Sequence, residues 1–80
     1  MDDLTLIIPA KNEMESLPRV LDELKNLELN IIVVLEPTDK DTINAVSNYN
    51  CKVIKQENKG YGDAIILGMQ NVKTNYFCIF

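Results

Sequence analysis

The sequence predicts an α/β fold in which four parallel strands alternate with three helices. Short apolar runs rich in β-branched or aromatic residues occupy residues 4–8, 31–35 and 76–80, and an alternating run of the same length occupies residues 51–55. Each segment between consecutive runs is about a dozen residues or longer, which is enough for a right-handed helical crossover between parallel strands. These observations together favour an open parallel sheet covered by helices on its faces.

The first strand ends abruptly in polar residues. Residues 4–8 read Leu-Thr-Leu-Ile-Ile, which is typical of a strand buried on both faces, and Pro9, Ala10, Lys11, Asn12 and Glu13 follow. A buried strand that ends this way usually delivers its polar residues to a site.

The first helix is amphipathic. Apolar residues recur at helical spacing, and they are Leu17, Val20, Leu21, Leu24 and Leu27. Pro18 is tolerated because the first helical turn needs no backbone donor at that position. The pattern predicts a helix that begins near Glu13 to Ser16 and ends at Asn30.

The second strand, residues 31–35, ends in Glu36 and Pro37. Thr38 with Asp41 three residues later resembles a helix N-cap, and Ile43 and Val46 would form the buried side of a short second helix. Residues 48–50 would end that helix.

The third strand, residues 51–55, alternates in hydrophobicity and is therefore expected near an edge of the sheet. A polar loop spans residues 56–63. A mostly apolar third helix is predicted from Ala64 to Val72, and residues 76–80 form the fourth strand.

Composition excludes several classes of protein. The chain has 80 residues and so holds at most one domain, and its net charge of -4, with eight scattered basic residues, argues against binding to nucleic acid. There is no histidine, so neither a histidine base nor a His-ligated zinc comes from this chain. Cys51 and Cys78 match no metal spacing and are interpreted as free core thiols in a reducing compartment, against the alternative of a disulfide. No apolar run approaches the roughly 20 residues of a membrane span, and no signal peptide is evident, so the expected location is cytoplasmic.

Three loops are expected to meet at one edge of the sheet, since the carboxyl ends of parallel strands share an edge. They are residues 9–13, 36–39 and 58–63. If the strand order is 3-2-1-4, a crevice opens between the first and fourth strands beside Pro9 and Ala10, and all three loops face it.

Each loop has two interpretations from its residues alone. The loop from Asn58 to Asp63 leads into a helix and either attracts a phosphate, with Lys59 adding charge, or merely makes a tight turn through Gly60 and Gly62. Asp63 either contacts a ligand or caps its helix. Tyr61 either stacks on a ligand or anchors the loop by packing.

Residues of the other two loops also have more than one interpretation. Asn12 and Glu13 either bind a base or sugar or cap the first helix. Glu36 either accepts a hydrogen bond from a ligand or is a solvated carboxylate, and Lys11 is interpreted as simply exposed.

Taken together, these motifs resemble the N-terminal part of a family 2 glycosyltransferase with the GT-A fold, near the polyprenyl-phosphate sugar transferases. The residues that carry the resemblance are Ile7 to Glu13 with Glu15, Ser16 and Leu17, the acidic end of the second strand, Asn58 to Ala64, and Gly68. The resemblance implies a three-layer open sheet, the Rossmann-like half of a GT-A fold, with strand order 3-2-1-4.

The resemblance also implies a donor site for a nucleotide-sugar linked through UDP or GDP. Pro9, Ala10, Asn12 and Glu13 would line the base and ribose pocket, and Glu36 would replace the family's aspartate. Lys59 and Gly60 would run beside the nucleotide, with Asp63 near it. The family's usual Asp-Asp-Gly-Ser reads Leu-Glu-Pro-Thr at residues 35–38 of this sequence.

The family's metal-binding Asp-x-Asp would follow the fourth strand, just where these 80 residues end. We therefore expect residues 1–80 to be a single partial domain with no metal ligand or catalytic residue, inactive alone. The parent would use Mg2+ or Mn2+ and transfer a sugar to an acceptor, such as a polyprenyl phosphate. Membrane contact, at the cytoplasmic face, would come only from regions further along the parent chain.

Two alternatives differ in function, namely a nucleotide-binding module without catalysis and a flavodoxin-like interaction module. The next twenty residues of the gene separate both from a transferase, since an Asp-x-Asp there would support transfer. An exposed fourth strand would also favour a homo-oligomer or a swapped dimer.

Overall fold

The computed structural model describes residues 3–11, 13–27, 29–57 and 60–80, and within these segments the chain forms the predicted α/β fold. In chain order the elements are β1 (Leu4–Pro9), α1 (Ser16–Leu24), β2 (Asn30–Leu35), α2 (Lys40–Val46), β3 (Lys52–Lys55), α3 (Tyr61–Gln70) and β4 (Tyr76–Ile79). All strand pairs are parallel and the order is β3-β2-β1-β4, so the predicted topology is confirmed.

The sheet lies between two layers of helix because successive side chains of its central strands point to opposite faces. On one face, Ile7, Ile32 and Val34 pack with Ala64 of α3. The other face carries the larger core, which joins strand residues to α1 and α2 and contains Leu6, Ile8, Ile31, Val33, Leu35, Leu17, Leu21 and Val46. These two clusters confirm the three-layer arrangement.

Close packing of α3 on the sheet depends on Gly68. A Cβ atom at this position would lie 2.6 Å from Cγ2 of Ile7, which is far inside van der Waals contact. Cγ2 of Ile7 is fixed directly to a fully buried β-branched centre and has little freedom to move. Gly68 therefore sets how closely the helix approaches β1.

The first helix ends earlier than its pattern predicts. It stops at Leu24, and a 3-10 turn over Lys25–Leu27 follows. Asn30 was expected to end the helix but begins β2, where it lies opposite Thr5 of β1. Pairing with the neighbouring strand decides the conformation of this polar residue, and its local preference for helix ends does not.

The second helix buries one residue that its pattern does not predict. Val46 is fully buried as predicted, and Ile43 is partly buried against the same core. Thr42, four residues before Val46, is fully buried as well. Asp39 and not Thr38 directly precedes the helix, and α2 has no side-chain capping hydrogen bond.

The edge position predicted for the third strand is confirmed, and β4 forms the opposite edge. Both cysteines are free, but only Cys51 packs against the core; Cys78 is exposed on β4, so the prediction of a core thiol is wrong there. None of the helices in the described segments is long and apolar enough to cross a membrane.

Candidate functional site

A cleft of about 310 Å³ lies at the carboxyl ends of β1, β2 and β3, on the face covered by α3. We call it the main cleft, and its lining residues are Pro9, Ala10, Lys11, Glu13, Glu36, Gln56, Gly60, Tyr61 and Ala64. This is the edge at which parallel α/β sheets bind ligands, and the volume is near the lower end of small-molecule sites.

The polar lining of the main cleft is dominated by two carboxylates. Glu13 lies in the loop after β1 and Glu36 is the first residue after β2. Ionised carboxylates only accept hydrogen bonds, so this pair suits a ligand rich in hydroxyl and N–H donors, such as a nucleoside. Lys11 contributes the cationic group of the lining.

The opposite wall is built by the loop that enters α3. Gly60 precedes the helix with φ of 123°, a conformation that side-chain-bearing residues rarely adopt. Its carbonyl oxygen accepts hydrogen bonds from the Gln56 side-chain nitrogen at 3.2 Å and from the Ala64 backbone nitrogen at 3.2 Å. The N-terminus of α3, with its partial positive charge, therefore faces the same cleft as the carboxylates.

Gln56 joins this wall to the sheet. Its backbone nitrogen donates to the carbonyl oxygen of Leu35 at 2.8 Å, and its side chain is only 6% exposed. A buried amide that is hydrogen-bonded at both its backbone and its side chain holds the β3 end and the Gly60 loop in one arrangement.

The wall that carries Glu13 is fixed by a chain of hydrogen bonds. The Glu13 backbone nitrogen donates to Oγ1 of Thr42 at 3.1 Å, and that hydroxyl donates to Oδ1 of Asp39 at 2.9 Å. The Asp39 backbone nitrogen in turn donates to the Glu36 carbonyl oxygen at 3.1 Å. The two loops that hold the cleft carboxylates are thus directly connected.

Glu13 does not cap α1 with its side chain. Its carboxylate accepts a hydrogen bond from the Ser16 hydroxyl, and its carbonyl oxygen accepts one from the backbone nitrogen of Leu17 at 2.9 Å. The residue directly before the helix is Glu15, which makes no side-chain capping bond. The capping interpretation is therefore wrong for the Glu13 side chain.

The structure brings together most of the residues that the sequence proposed for a site. Pro9, Ala10, Glu13, Glu36 and Gly60 all line the main cleft. Their role in binding stays a prediction. Asn12 and Lys59, which the sequence also proposed, lie outside the described residues.

Asp63 lies apart from this group. It lines a neighbouring hollow together with Lys55 and Glu57. The reason is that α3 begins at Tyr61, three residues before the predicted start, so Asp63 is within the first turn. At 3.6 residues per turn it points about 200° away from Tyr61 around the helix.

Three further residues line the main cleft that the sequence does not assign to a site, namely Lys11, Gln56 and Ala64. Lys11 is exposed, as the sequence predicts. Tyr61 is 62% exposed at the cleft, so its interpretation as a packed loop anchor is wrong. The signal that finds Gln56 is its place directly after β3, which matches the place of Glu36 after β2.

The crevice expected between β1 and β4 exists as a smaller hollow of about 200 Å³ on the α1 face. Phe80 and Val20 line it, and it shares Pro9, Ala10 and Glu13 with the main cleft. Residues from the loops after β2 and β3 instead meet residues from the loop after β1 on the α3 face of the sheet. A larger cavity, of about 410 Å³, lies at the amino ends of β2 and β3, away from all three loops.

The described residues do not fit a divalent cation. No group of three or more acidic, cysteine or histidine side chains is placed in them to hold a metal ion. Among the described residues that line the main cleft, only Glu13 and Glu36 carry carboxylates. We therefore assign no reaction step to a metal held by these residues.

Comparison with known proteins gives one family. A family model described as glycosyl transferase family 2 matches residues 5–80. The chain is also similar to uncharacterised glycosyltransferases of Mycobacterium bovis and of two strains of Mycobacterium tuberculosis, with 32% identity over 68 residues in each case. These matches cover 85% of this chain and 31% of each relative, so the chain spans about a third of their length. No solved structure matches the chain significantly.

Proposed function

The chain belongs to glycosyl transferase family 2, and on that premise we propose that it binds the nucleotide of a nucleotide-diphospho-sugar donor in the main cleft. The observation that carries the proposal is the convergence of three strand-end loops on one cleft, with carboxylates on one wall and a helix N-terminus on the other. A nucleoside diphosphate combines hydroxyl and N–H donors with an anionic end, and these two walls complement both parts.

Charge divides the cleft between the two parts of the nucleotide. Glu13 and Glu36 would repel a diphosphate, so we assign them to the ribose hydroxyls and the base. Pro9 and Ala10 then form the floor under the nucleoside. Asn12, which is outside the described residues, is proposed for the same pocket from the sequence alone. Glu36 takes the place of the family's aspartate.

The diphosphate is assigned to the opposite wall. There Gly60 leads into the positive end of α3, and a phosphate is a good ligand for such a helix terminus. Lys11, which lines the main cleft, supplies positive charge. Lys59, which is outside the described residues, is proposed beside the nucleotide from the sequence alone. Asp63 is left out of this site because it lines the neighbouring hollow.

The whole protein is proposed to be a glycosyltransferase. An acceptor oxygen attacks the anomeric carbon, the bond from that carbon to the diphosphate oxygen breaks, and the nucleoside diphosphate leaves with the electron pair. Direct displacement of this kind inverts the anomeric centre. We propose a hydroxyl or a polyprenyl phosphate as the acceptor, and Mg2+ or Mn2+ held elsewhere in the protein as the ion that neutralises the leaving group.

Isothermal titration of the protein with UDP, GDP and their sugar conjugates tests the proposal. We expect one of the two nucleotides to bind, and ADP to bind more weakly. Glu36→Gln keeps the size of the side chain and removes its charge, and it should weaken binding about tenfold because hydrogen bonds to a charged group are lost. Glu57→Gln is the matched control, since Glu57 is exposed and lines the neighbouring hollow.

Binding of none of these ligands at millimolar concentration would reject the nucleotide site. Equal losses in Glu36→Gln and Glu57→Gln would reject the assignment to the main cleft. Binding without any sugar transfer by the whole natural protein would favour the non-catalytic nucleotide-binding module.

We also propose that β4 pairs with a second copy of the chain. Large apolar side chains are exposed there, namely Tyr76, Phe77, Ile79 and Phe80, and β4 is an edge strand. Sedimentation velocity should show a dimer that Phe77→Lys weakens and that Ile66→Lys, on the exposed side of α3, leaves intact. A monomer at high concentration would reject this pairing.

A further inference from the structure

Thr42 of α2 is a polar residue in an apolar setting. It is 0% exposed and shares the buried face of its helix with Val46. A valine of nearly the same shape would fill the space equally well, so packing alone does not account for a hydroxyl there. What the hydroxyl adds is its pair of hydrogen bonds.

The direction of these bonds is fixed by chemistry. A threonine hydroxyl has one proton, and Thr42 donates it to the carboxylate of Asp39, which can only accept when ionised. Its oxygen is thereby oriented to accept the N–H of Glu13. Since the Leu17 nitrogen holds the Glu13 carbonyl, both backbone polar groups of Glu13 are tied down.

The chain of bonds continues to the other carboxylate. Asp39 donates its backbone N–H to the carbonyl oxygen of Glu36. Three consecutive hydrogen bonds therefore join Glu13 to Glu36, and Thr42 is the link between the two loops. We infer that Thr42 is a positioning residue that sets the spacing of the two carboxylates in the main cleft.

This inference rests on the proposed function for its effect on binding, while its effect on the loop is independent of any ligand. Thr42→Val keeps the shape of the side chain and removes the hydroxyl, and Thr42→Ser keeps the hydroxyl. Val46→Ala, on the same buried face, is the control for a loss of stability without loss of the hydrogen-bond chain. Asp39→Ala removes the acceptor from a partly exposed position and serves if Thr42→Val does not fold.

The first measurement is amide hydrogen exchange of Glu13 by NMR, with the amide of Val33 in the centre of the sheet as the reference for global opening. Relative to Val33, Glu13 should exchange about tenfold faster in Thr42→Val, which corresponds to the loss of one hydrogen bond. Thr42→Ser should leave this ratio unchanged, and Asp39→Ala should raise it. Val46→Ala should not raise it, because its loss of global stability speeds the exchange of Val33 at least as much as that of Glu13.

The second measurement is the affinity for UDP or GDP, whichever the wild-type protein binds. Thr42→Val should weaken binding about tenfold, with Thr42→Ser and Val46→Ala near the wild-type value. An unchanged exchange ratio in Thr42→Val overturns the inference, and so does an affinity loss that Val46→Ala reproduces. If the wild-type protein binds neither nucleotide, the proposed function fails, and the exchange ratio alone still decides whether Thr42 holds the loop.

Discussion

Strands β1 and β4 are neighbours in the sheet and have similarly apolar sequences, yet their surroundings differ completely. Ile7 of β1 and Ile79 of β4 lie opposite one another in the parallel register and so point to the same face. Ile7 is 0% exposed and Ile79 is 39% exposed. The difference follows from the helices, because α3 packs over β1 and β2 and leaves the β4 edge open.

This comparison shows that an apolar run alone does not place a strand in the core. The central position of β1, between β2 and β4, gives it a helix on each face. The same position carries its carboxyl end into the main cleft, which β4 does not line. A central strand with a helix on each face therefore also supports the candidate site.

The strongest test of the comparison is Ile7→Ala against Ile79→Ala. We expect Ile7→Ala to lower the free energy of unfolding by about 2–5 kcal/mol, because it opens a cavity between β1 and α3. Ile79→Ala should cost less than about 1 kcal/mol because solvent already reaches the side chain. Urea denaturation followed by circular dichroism measures both at a concentration at which the chain is monomeric, and equal losses would show that the β4 edge is covered within the monomer.

A second test concerns the close contact of α3 with β1. Gly68→Ala should lower the free energy of unfolding by about 1–3 kcal/mol, since its new methyl group would overlap Ile7. Gly62→Ala is the matched control within the same helix, because nothing lies within 4 Å of its added Cβ. Alanine favours helix over glycine by up to about 1 kcal/mol, so the control should gain stability. A gain in both variants would mean that α3 can move away from the sheet without cost.

The smallest effect is expected from the two cysteines, one at each edge of the sheet. Burial raises the pKa of the Cys51 thiol above its ordinary value, whereas Cys78 is exposed on β4. Between about pH 7 and 8, below the pKa of a free thiol, a maleimide should label Cys78 several-fold faster than Cys51. Mass spectrometry of the labelled peptides at successive times measures both rates, and equal rates would contradict the difference in burial.

The raised pKa of Cys51 also makes the free energy of unfolding depend on pH in a predictable direction. The folded state favours the neutral thiol, so this contribution is fully present below the pKa of the unfolded chain and is lost as pH rises through the folded value. The free energy of unfolding should thus fall above about pH 8.5. Cys51→Ala should remove that part of the pH dependence.

Much of the candidate site can be predicted from the sequence, because the site lies where the buried strands end. Pro9, Ala10, Glu13 and Glu36 follow two apolar runs directly, and Gly60 belongs to a short glycine-containing loop before a helix. Gln56 was missed because its strand is short and its neighbours are polar. Asp63, which the sequence groups with them, lines the neighbouring hollow, because α3 begins three residues before its predicted start.

The burial of Thr42 cannot be predicted from the sequence. The local pattern gives the period of the helix but not which side of it faces the core, and Ile43 is the more apolar candidate for that side. Packing of α2 beside α1 turned Thr42 inward instead, where its hydroxyl meets the Glu13 loop from 29 residues away.

The α/β class, the parallel strands and the strand ends at which polar residues collect follow from the sequence, because hydrophobic period and crossover length are local properties. The face of the sheet that holds the main cleft, the uncovered strand and the buried hydroxyl that connects the loops follow from the packing of the folded chain. These features depend on contacts between segments far apart in the chain, and no local pattern records them.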